Sequence, residues 1–160
     1  MAEPARQQSL DERATVAVSS RRFGDYTFAL DRVLHFPEGL IGFPAARRFA
    51  LLESARPGGL FHVLHCLDLP ELGFVVCDPG LFWSGYTADL PRPDDLASED
   101  MAVLAIVTVP QNPVEMTANL MAPLLINLRT RIGVQIVLDT GRYSTRHPVL
   151  PPAQQPPASK

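Results

Sequence analysis

The sequence contains almost no lysine and has no long hydrophobic run. Lys160 is its one lysine among 14 lysines and arginines, and the arginines are scattered along the chain. Nucleic-acid-binding proteins usually carry a basic stripe, whereas the formal net charge here is -3. The composition therefore argues against direct binding to nucleic acid or to anionic membrane. No apolar segment approaches the roughly 20 residues that span a bilayer.

Cysteine is also scarce. Cys66 and Cys77 are too few for a disulfide framework, and they predict free thiols in a reducing compartment. The N-terminus is polar through Arg13 and lacks the apolar core of a signal peptide. These features together predict a cytoplasmic protein.

The length of 160 residues and an apolar content of 46% fit one globular domain. We predict a flexible N-terminal arm over residues 1–13 and a single β-rich domain over residues 14–148. The segment 149–160 is rich in proline, alanine and glutamine, which predicts a disordered tail.

Short β-type runs bounded by turn residues dominate the chain. Gly24-Asp25 is a turn signal between the runs 15–19 and 26–30 and predicts a hairpin. The most apolar run, 101–109, predicts a central strand that is buried on both faces. Further strands are expected at 33–36, 48–52, 60–67, 73–77, 124–127 and 134–138.

Helix signals are weak and allow two short helices. One is predicted at 93–100, and the other at 114–122, where Pro113 suits a first-turn position. The predicted fold class is therefore mostly β, an antiparallel β pseudobarrel or sandwich with one or two short helices.

A hexapeptide near the end of the chain concentrates recognition groups. It contains an aromatic ring, two hydroxyls, a guanidinium and an imidazole, in the order Tyr143, Ser144, Thr145, Arg146, His147, Pro148. Alternation along an extended chain predicts that Thr145 and His147 face one side and Ser144 the other. A catalytic Ser–His pair within this segment is therefore unfavourable. Two hypotheses remain: the segment recognises a partner, or it fastens the C-terminus to the body.

Two further segments have the composition of a protein-binding surface. Residues 89–100 hold five acidic residues against one arginine, and our candidate contacts among them are Asp94, Asp95, Glu99 and Asp100. An acidic surface attracts a basic partner and raises its association rate, although a solvated loop would have the same composition. Trp83, close to Tyr86 and just after a turn, is typical of binding hot spots and equally of cores.

The densest group of metal-ligand residue types is His62, His65 and Cys66. On a strand, His62 and Cys66 share one face and His65 faces the other, so three ligands could converge only with help from a neighbour such as Cys77. This pattern is more typical of half-buried histidines and a core cysteine, and we predict no metal and no cofactor. A small-molecule or cofactor-binding β-barrel protein, with this region lining its cavity, stays open as the alternative function.

Several segments in the same order resemble the FliW family of flagellar assembly factors across residues 15–148. They are Phe-Pro-Glu-Gly-Leu-Ile-Gly-Phe at 36–43, Pro-Glu-Leu-Gly-Phe-Val-Val-Cys-Asp-Pro at 70–79, Val-Thr-Val-Pro at 107–110, residues 116–127 and the hexapeptide. The run 60–66 departs from the family pattern, which is usually more aromatic there and ends in Gln-Ser.

The resemblance implies a β-rich pseudobarrel and a cytoplasmic regulator that is not an enzyme. It implies binding to flagellin, near its C-terminal helical region, and to the RNA-binding translational repressor CsrA. By antagonising CsrA on flagellin mRNA, such a protein couples flagellin translation to secretion. A chaperone for flagellin without a regulatory role is a weaker alternative. We expect the partners to contact the acidic residues 94–100, Trp83 and the hexapeptide.

Overall fold

The computed structural model describes residues 14–53, 59–91 and 100–149, which form eleven strands. Most are short, because turn residues interrupt the apolar runs every few positions. The strands are β1 (Thr15–Ser20), β2 (Gly24–Ala29), β3 (Leu34–His35), β4 (Arg48–Leu52), β5 (Phe61–Cys66), β6 (Gly73–Cys77), β7 (Met101–Thr108), β8 (Thr117–Ala118), β9 (Leu124–Asn127), β10 (Ile132–Gln135) and β11 (His147–Pro148).

Nine of these strands make one sheet that closes on itself. Its order is β11-β8-β7-β6-β5-β4-β3-β10-β9, and β9 pairs with β7 again to complete a ring of seven strands. The pair of β3 and β10 is parallel, and the other pairs are antiparallel. Closure removes the free edges of the ring, and the predicted antiparallel β pseudobarrel is confirmed.

Large side chains fill the inside of the ring. Phe36, Phe49 and Leu64 are fully buried there, together with Leu124 and the thiol of Cys66. Leu104 of β7 also belongs to this interior cluster, since alternate residues of a strand point to one face. The barrel interior is therefore a packed hydrophobic core.

The outer face of β7 is buried as well. Val103, Ala105 and Val107 alternate with the interior residues and belong to a second cluster, which also contains Tyr86 and Leu138. The segments that contain Tyr86 and Leu138 cover the outside of the barrel wall at this point. The sequence prediction that this strand is buried on both faces is confirmed.

The predicted hairpin near the N-terminus is also confirmed. Strands β1 and β2 pair antiparallel from Thr15 and Ala29 to Ser20 and Gly24. The hairpin packs onto the outside of the barrel, where the ring of Phe23 lies against Gly73 so closely that a Cβ at position 73 would be 2.4 Å from it.

The helix predicted at 114–122 is wrong. A single 3-10 turn, Pro113–Glu115, begins there, and the Asn112 side chain caps it by accepting from the Val114 amide at 3.1 Å. The chain then becomes β8, which pairs with the end of β7. The local helix signals are real, but long-range pairing with a central strand outweighs them.

Helical structure among the described residues is limited to short 3-10 turns. Within this part of the chain, no helix is long and apolar enough to cross a membrane. The helix predicted at 93–100 lies outside the described residues except for Asp100, as do the predicted arm 1–13 and the tail from residue 150. Val149, assigned from the sequence to the tail, is 3% exposed and belongs to the second core cluster.

Candidate protein-binding site

The hexapeptide docks on the outside of the barrel through its backbone. His147 and Pro148 form β11 and pair with Ala118 and Thr117 of β8. The carbonyl of Ser144 accepts a hydrogen bond from the Leu120 amide at 3.0 Å. These bonds fix the position of the segment, so its outward-facing side chains are presented from a defined backbone.

Two aromatic contacts hold the inward-facing side of the segment. The ring of Tyr143 meets Tyr86 edge-on, with centroids 4.8 Å apart, and the ring of His147 meets Trp83 edge-on at 5.4 Å. The ring of Phe82 lies beside that of Trp83, with centroids 5.5 Å apart. Edge-to-face pairs of this kind stabilise by about 0.5–1.5 kcal/mol beyond the area they bury.

Tyr86 is the anchor beneath this contact. It is 1% exposed, and its hydroxyl donates to the Leu120 carbonyl at 2.6 Å. Burial raises the pKa of Tyr86 well above its ordinary value, and the nearby Tyr143 raises it further. The phenol therefore stays protonated and remains a hydrogen-bond donor. From the sequence alone, Tyr86 was identified only as a neighbour of Trp83. The residue that accepts its hydrogen bond, Leu120, is distant in the chain.

The outward-facing groups of the segment are Ser144, Thr145 and Arg146, all of which are exposed. Residues 145 and 146 form a turn, so the strict alternation predicted for an extended chain does not hold there. The Ser144 hydroxyl accepts from the Arg146 amide at 2.9 Å, which stabilises this turn. The Ser144 side chain is therefore engaged with the backbone of the turn, and the imidazole of His147 packs on Trp83. The arrangement presents the Arg146 guanidinium to solvent.

The candidate residues separate into two groups. Trp83, Tyr143 and His147 come together, as the contacts above describe. Asp100 lies just before β7, and β11 is attached through β8 at the opposite end of that strand. At about 3.3 Å per residue, the eight residues of β7 separate the two places by about 26 Å. Asp94, Asp95 and Glu99 lie outside the described residues.

The histidines and cysteines do not form a common site. His65 is fully buried on the outer face of β5, under the β1–β2 hairpin. Its Nδ1 lies 2.5 Å from the Tyr26 hydroxyl, and its Nε2 lies 2.6 Å from the Pro70 carbonyl. Since a carbonyl only accepts, Nε2 carries a proton and donates it to Pro70. Both ring nitrogens are thus already engaged.

The two thiols lie on opposite sides of the barrel wall. Cys66 belongs to the interior core and Cys77 to the outer cluster. Burial raises the pKa of both thiols, that of Cys77 to about 12, with a smaller effect from Asp78. Neither thiol has the lowered pKa of a reactive nucleophile. Among residues 14–53, 59–91 and 100–149, no group of three histidines, cysteines or acidic residues could hold a metal ion.

Comparison with known proteins identifies the family of the chain. The sequence profile of the family described as FliW protein matches residues 17–150. The flagellar assembly factor FliW of Caldanaerobacter subterraneus subsp. tengcongensis is 35% identical over 138 residues, which cover 83% of this chain and 92% of the relative. That of Natranaerobius thermophilus is 37% identical over 139 residues, covering 82% and 91%.

The structural comparison agrees with the sequence comparison. A crystal structure of the flagellar assembly factor FliW superposes with a TM-score of 0.75 at 29% identity, covering 85% of this chain and 98% of that chain. The sequence match includes the hexapeptide, β11 and the whole barrel. The chain therefore belongs to the FliW family of flagellar assembly factors.

Proposed function

We propose that this protein is a cytoplasmic regulator of flagellum assembly and not an enzyme. It binds flagellin and the translational repressor CsrA, and antagonises the binding of CsrA to flagellin mRNA. Because flagellin and CsrA compete for it, secretion of flagellin frees the protein to act on the repressor. The observation that carries this proposal is the family membership, with about 35% identity over most of the chain.

The chemistry of the described residues supports a binding role over catalysis. Buried thiols with raised pKa values and a histidine with both ring nitrogens bonded are structural groups. The packed barrel interior argues against the alternative of a small-molecule or cofactor carrier. The turn of the hexapeptide, by contrast, has a fixed backbone and exposes the guanidinium of Arg146 to solvent. This combination suits protein recognition.

We assign partner contacts to two places. The first is the C-terminal surface made by Tyr143, Ser144, Arg146 and His147 over Trp83. The second is the acidic segment formed by Asp94, Asp95, Glu99 and Asp100. A repressor that binds RNA has a basic surface, so the acidic segment and the net charge of -3 would raise its association rate. Occlusion of that basic surface, or a change in its shape, would release the mRNA.

A competition titration tests this proposal. Labelled flagellin mRNA leader is first bound to CsrA, and this protein and then flagellin are added while the anisotropy of the RNA is followed. We expect the protein to release the RNA and flagellin to restore its binding. A protein that binds flagellin and leaves the CsrA–RNA complex unchanged would instead be a flagellin chaperone, and binding to neither partner would overturn the proposal.

A matched pair of variants tests the contact assignment. Arg146→Ala and Arg129→Ala remove the same charge from exposed positions, the first in the hexapeptide and the second in the loop between β9 and β10. We expect Arg146→Ala to weaken binding of at least one partner by about fivefold or more, as for a contact worth 1 kcal/mol. Equal affinities of the two variants would remove Arg146 from the contact.

A further inference from the structure

The outward face of β10 carries an exposed apolar surface. Ile132 and Val134 point away from the barrel and are 49% and 41% exposed. Gly133, between them, faces inward, where the ring of Phe36 packs so closely that a Cβ would lie 2.5 Å from it. The two aliphatic side chains form a ridge, which we call the β10 ridge. The Ile-Gly-Val alternation is visible in the sequence, but only the fold places its aliphatic face outside.

A furrow lies on each side of the β10 ridge. Between the ridge and segment 37–41 there is a cavity of about 360 Å³, with Ile41 exposed at its rim. On the other side, Met101 and Leu125 help to enclose about 160 Å³. Single exposed aliphatic residues are ordinary, but a ridge between two apolar concavities is typical of a docking surface.

The larger furrow is preformed. The side-chain carbonyl of Gln135 accepts from the Ile41 amide at 2.7 Å, and its amide group donates to the Ala122 carbonyl at 3.1 Å. This one side chain ties the furrow wall to β10 and to the loop before β9. At the other end, β3 pairs with β10 only at His35 and Ile132 and then turns away. Little conformational entropy would be lost in filling such a furrow.

The charge that lines the larger furrow is negative. Among the described residues, Glu38 is the one charged residue that lines the larger furrow, and those that line the smaller furrow carry no charge. Arg131, the nearest cation in the chain, lines a different cavity at the barrel mouth, together with Arg32. The surface is thus apolar in the middle and acidic at the margin of the larger furrow.

We propose that the β10 ridge and its furrows dock a segment of a partner protein with two bulky apolar side chains and a lysine or arginine beside them. One apolar side chain enters each furrow, and the two are about 10 Å apart, since the ridge separates them by about two strand spacings. The cation lies against Glu38. Apolar anchors in preformed pockets dominate binding energy, and charges at the margin select the partner.

This surface is distinct from the C-terminal one. The hexapeptide is attached through β8, whereas β10 lies on the other side of β9. The inference therefore does not depend on the proposed function, and its test uses neither flagellin nor CsrA. It predicts that two partners can be held at separate places on the barrel.

The test is a ¹H–¹⁵N NMR titration of the full chain with two small probes, acetyl-Leu-Lys-amide and acetyl-Leu-Glu-amide. We expect the amide signals of 37–41 and 132–135 to shift. The lysine probe should bind about two- to fivefold more tightly, the range of an exposed ion pair, and lose this advantage in 0.5 M salt. Glu38→Gln should reduce the preference. Shifts that map elsewhere, or no shifts, would overturn the proposal.

Two substitutions that each introduce a negative charge form a matched pair of test and control. Val134→Glu places a charge on the ridge and should weaken both probes at least tenfold, while Val137→Glu, at a position 57% exposed outside both furrows, should not. If Val134→Glu loses the folded spectrum, Ile41→Glu at the furrow rim replaces it. Equal effects at the ridge and control positions would refute the site. Signals of 132–135 that shift on dilution of the protein alone would identify a second copy as the occupant instead.

Discussion

The imidazole of His147 packs edge-on against the indole of Trp83, with ring centroids 5.4 Å apart and ring planes at 85°. Trp83 follows a 3-10 turn that is capped by the Asp78 carboxylate, and His147 belongs to the last described strand. The contact therefore fastens the C-terminal segment to the outer layer of the barrel. Arg146, the adjacent residue, is exposed. Attachment and recognition are thus divided between neighbouring residues and can be tested separately.

His147→Ala should destabilise the fold by about 1–2 kcal/mol, because it removes the ring contact and part of the apolar burial on Trp83. Arg146→Ala should change the free energy of unfolding by less than about 0.5 kcal/mol, as for other exposed positions. Urea denaturation followed by tryptophan fluorescence measures both. A strong loss of stability in Arg146→Ala would show that this residue fastens the segment rather than recognises a partner.

Tyr86→Phe should cost about 1–2 kcal/mol at neutral pH, since the buried carbonyl of Leu120 loses its donor. Burial raises the pKa of Tyr86 above its ordinary value of 10.0. The protonated phenol therefore stabilises the folded state fully below pH 10, and this contribution is lost as pH rises through the higher folded pKa. The gap in stability between wild type and Tyr86→Phe should shrink in alkaline buffer. A gap that is constant with pH would contradict the assignment.

Gly133→Ala should destabilise the barrel by about 2–3 kcal/mol, as expected when extra volume enters a packed core. The added methyl would lie 2.5 Å from the ring of Phe36, which is fully buried. Phe36→Leu creates that room, so the double variant should lose less stability than the sum of the two single variants, by about 1 kcal/mol. Strict additivity in thermal denaturation would mean that the two positions do not interact.

Asp68→Asn should lower the free energy of unfolding at pH 7 by about 1 kcal/mol. The expected loss is small because the ion pair of Asp68 with Arg48 is partly exposed to solvent. Burial alone would raise the pKa of Asp68, but hydrogen bonds from the Arg48 amide and guanidinium and from the Arg47 amide outweigh it and lower the pKa. A lowered pKa stabilises the fold above the ordinary value of 3.8, and the contribution is lost as pH falls through the folded value. Acid titration of the melting temperature should show a smaller decline below pH 4 in Asp68→Asn than in wild type.

Local signals in the sequence predicted most of the strands. The turn residues around Gly24 marked the first hairpin, and the continuous apolar run of β7 marked a strand buried on both faces. Both features depend on residues close together in the chain, so they can be read without the fold. The segment 114–122 was misassigned to a helix because its decisive interaction, pairing with β7, lies outside any local window.

The hexapeptide shows the same division. The sequence by itself determined the barrel class, the family and the concentration of recognition groups between Tyr143 and Pro148. It could not determine which of those groups face a partner, because that depends on Trp83 and Tyr86, more than 55 residues earlier in the chain. Only the tertiary structure placed these rings beneath the segment, buried the inner faces of Tyr143 and His147, and left the turn at Arg146 in solvent. Burial is a property of the assembled fold, since a side chain is buried only by what packs against it.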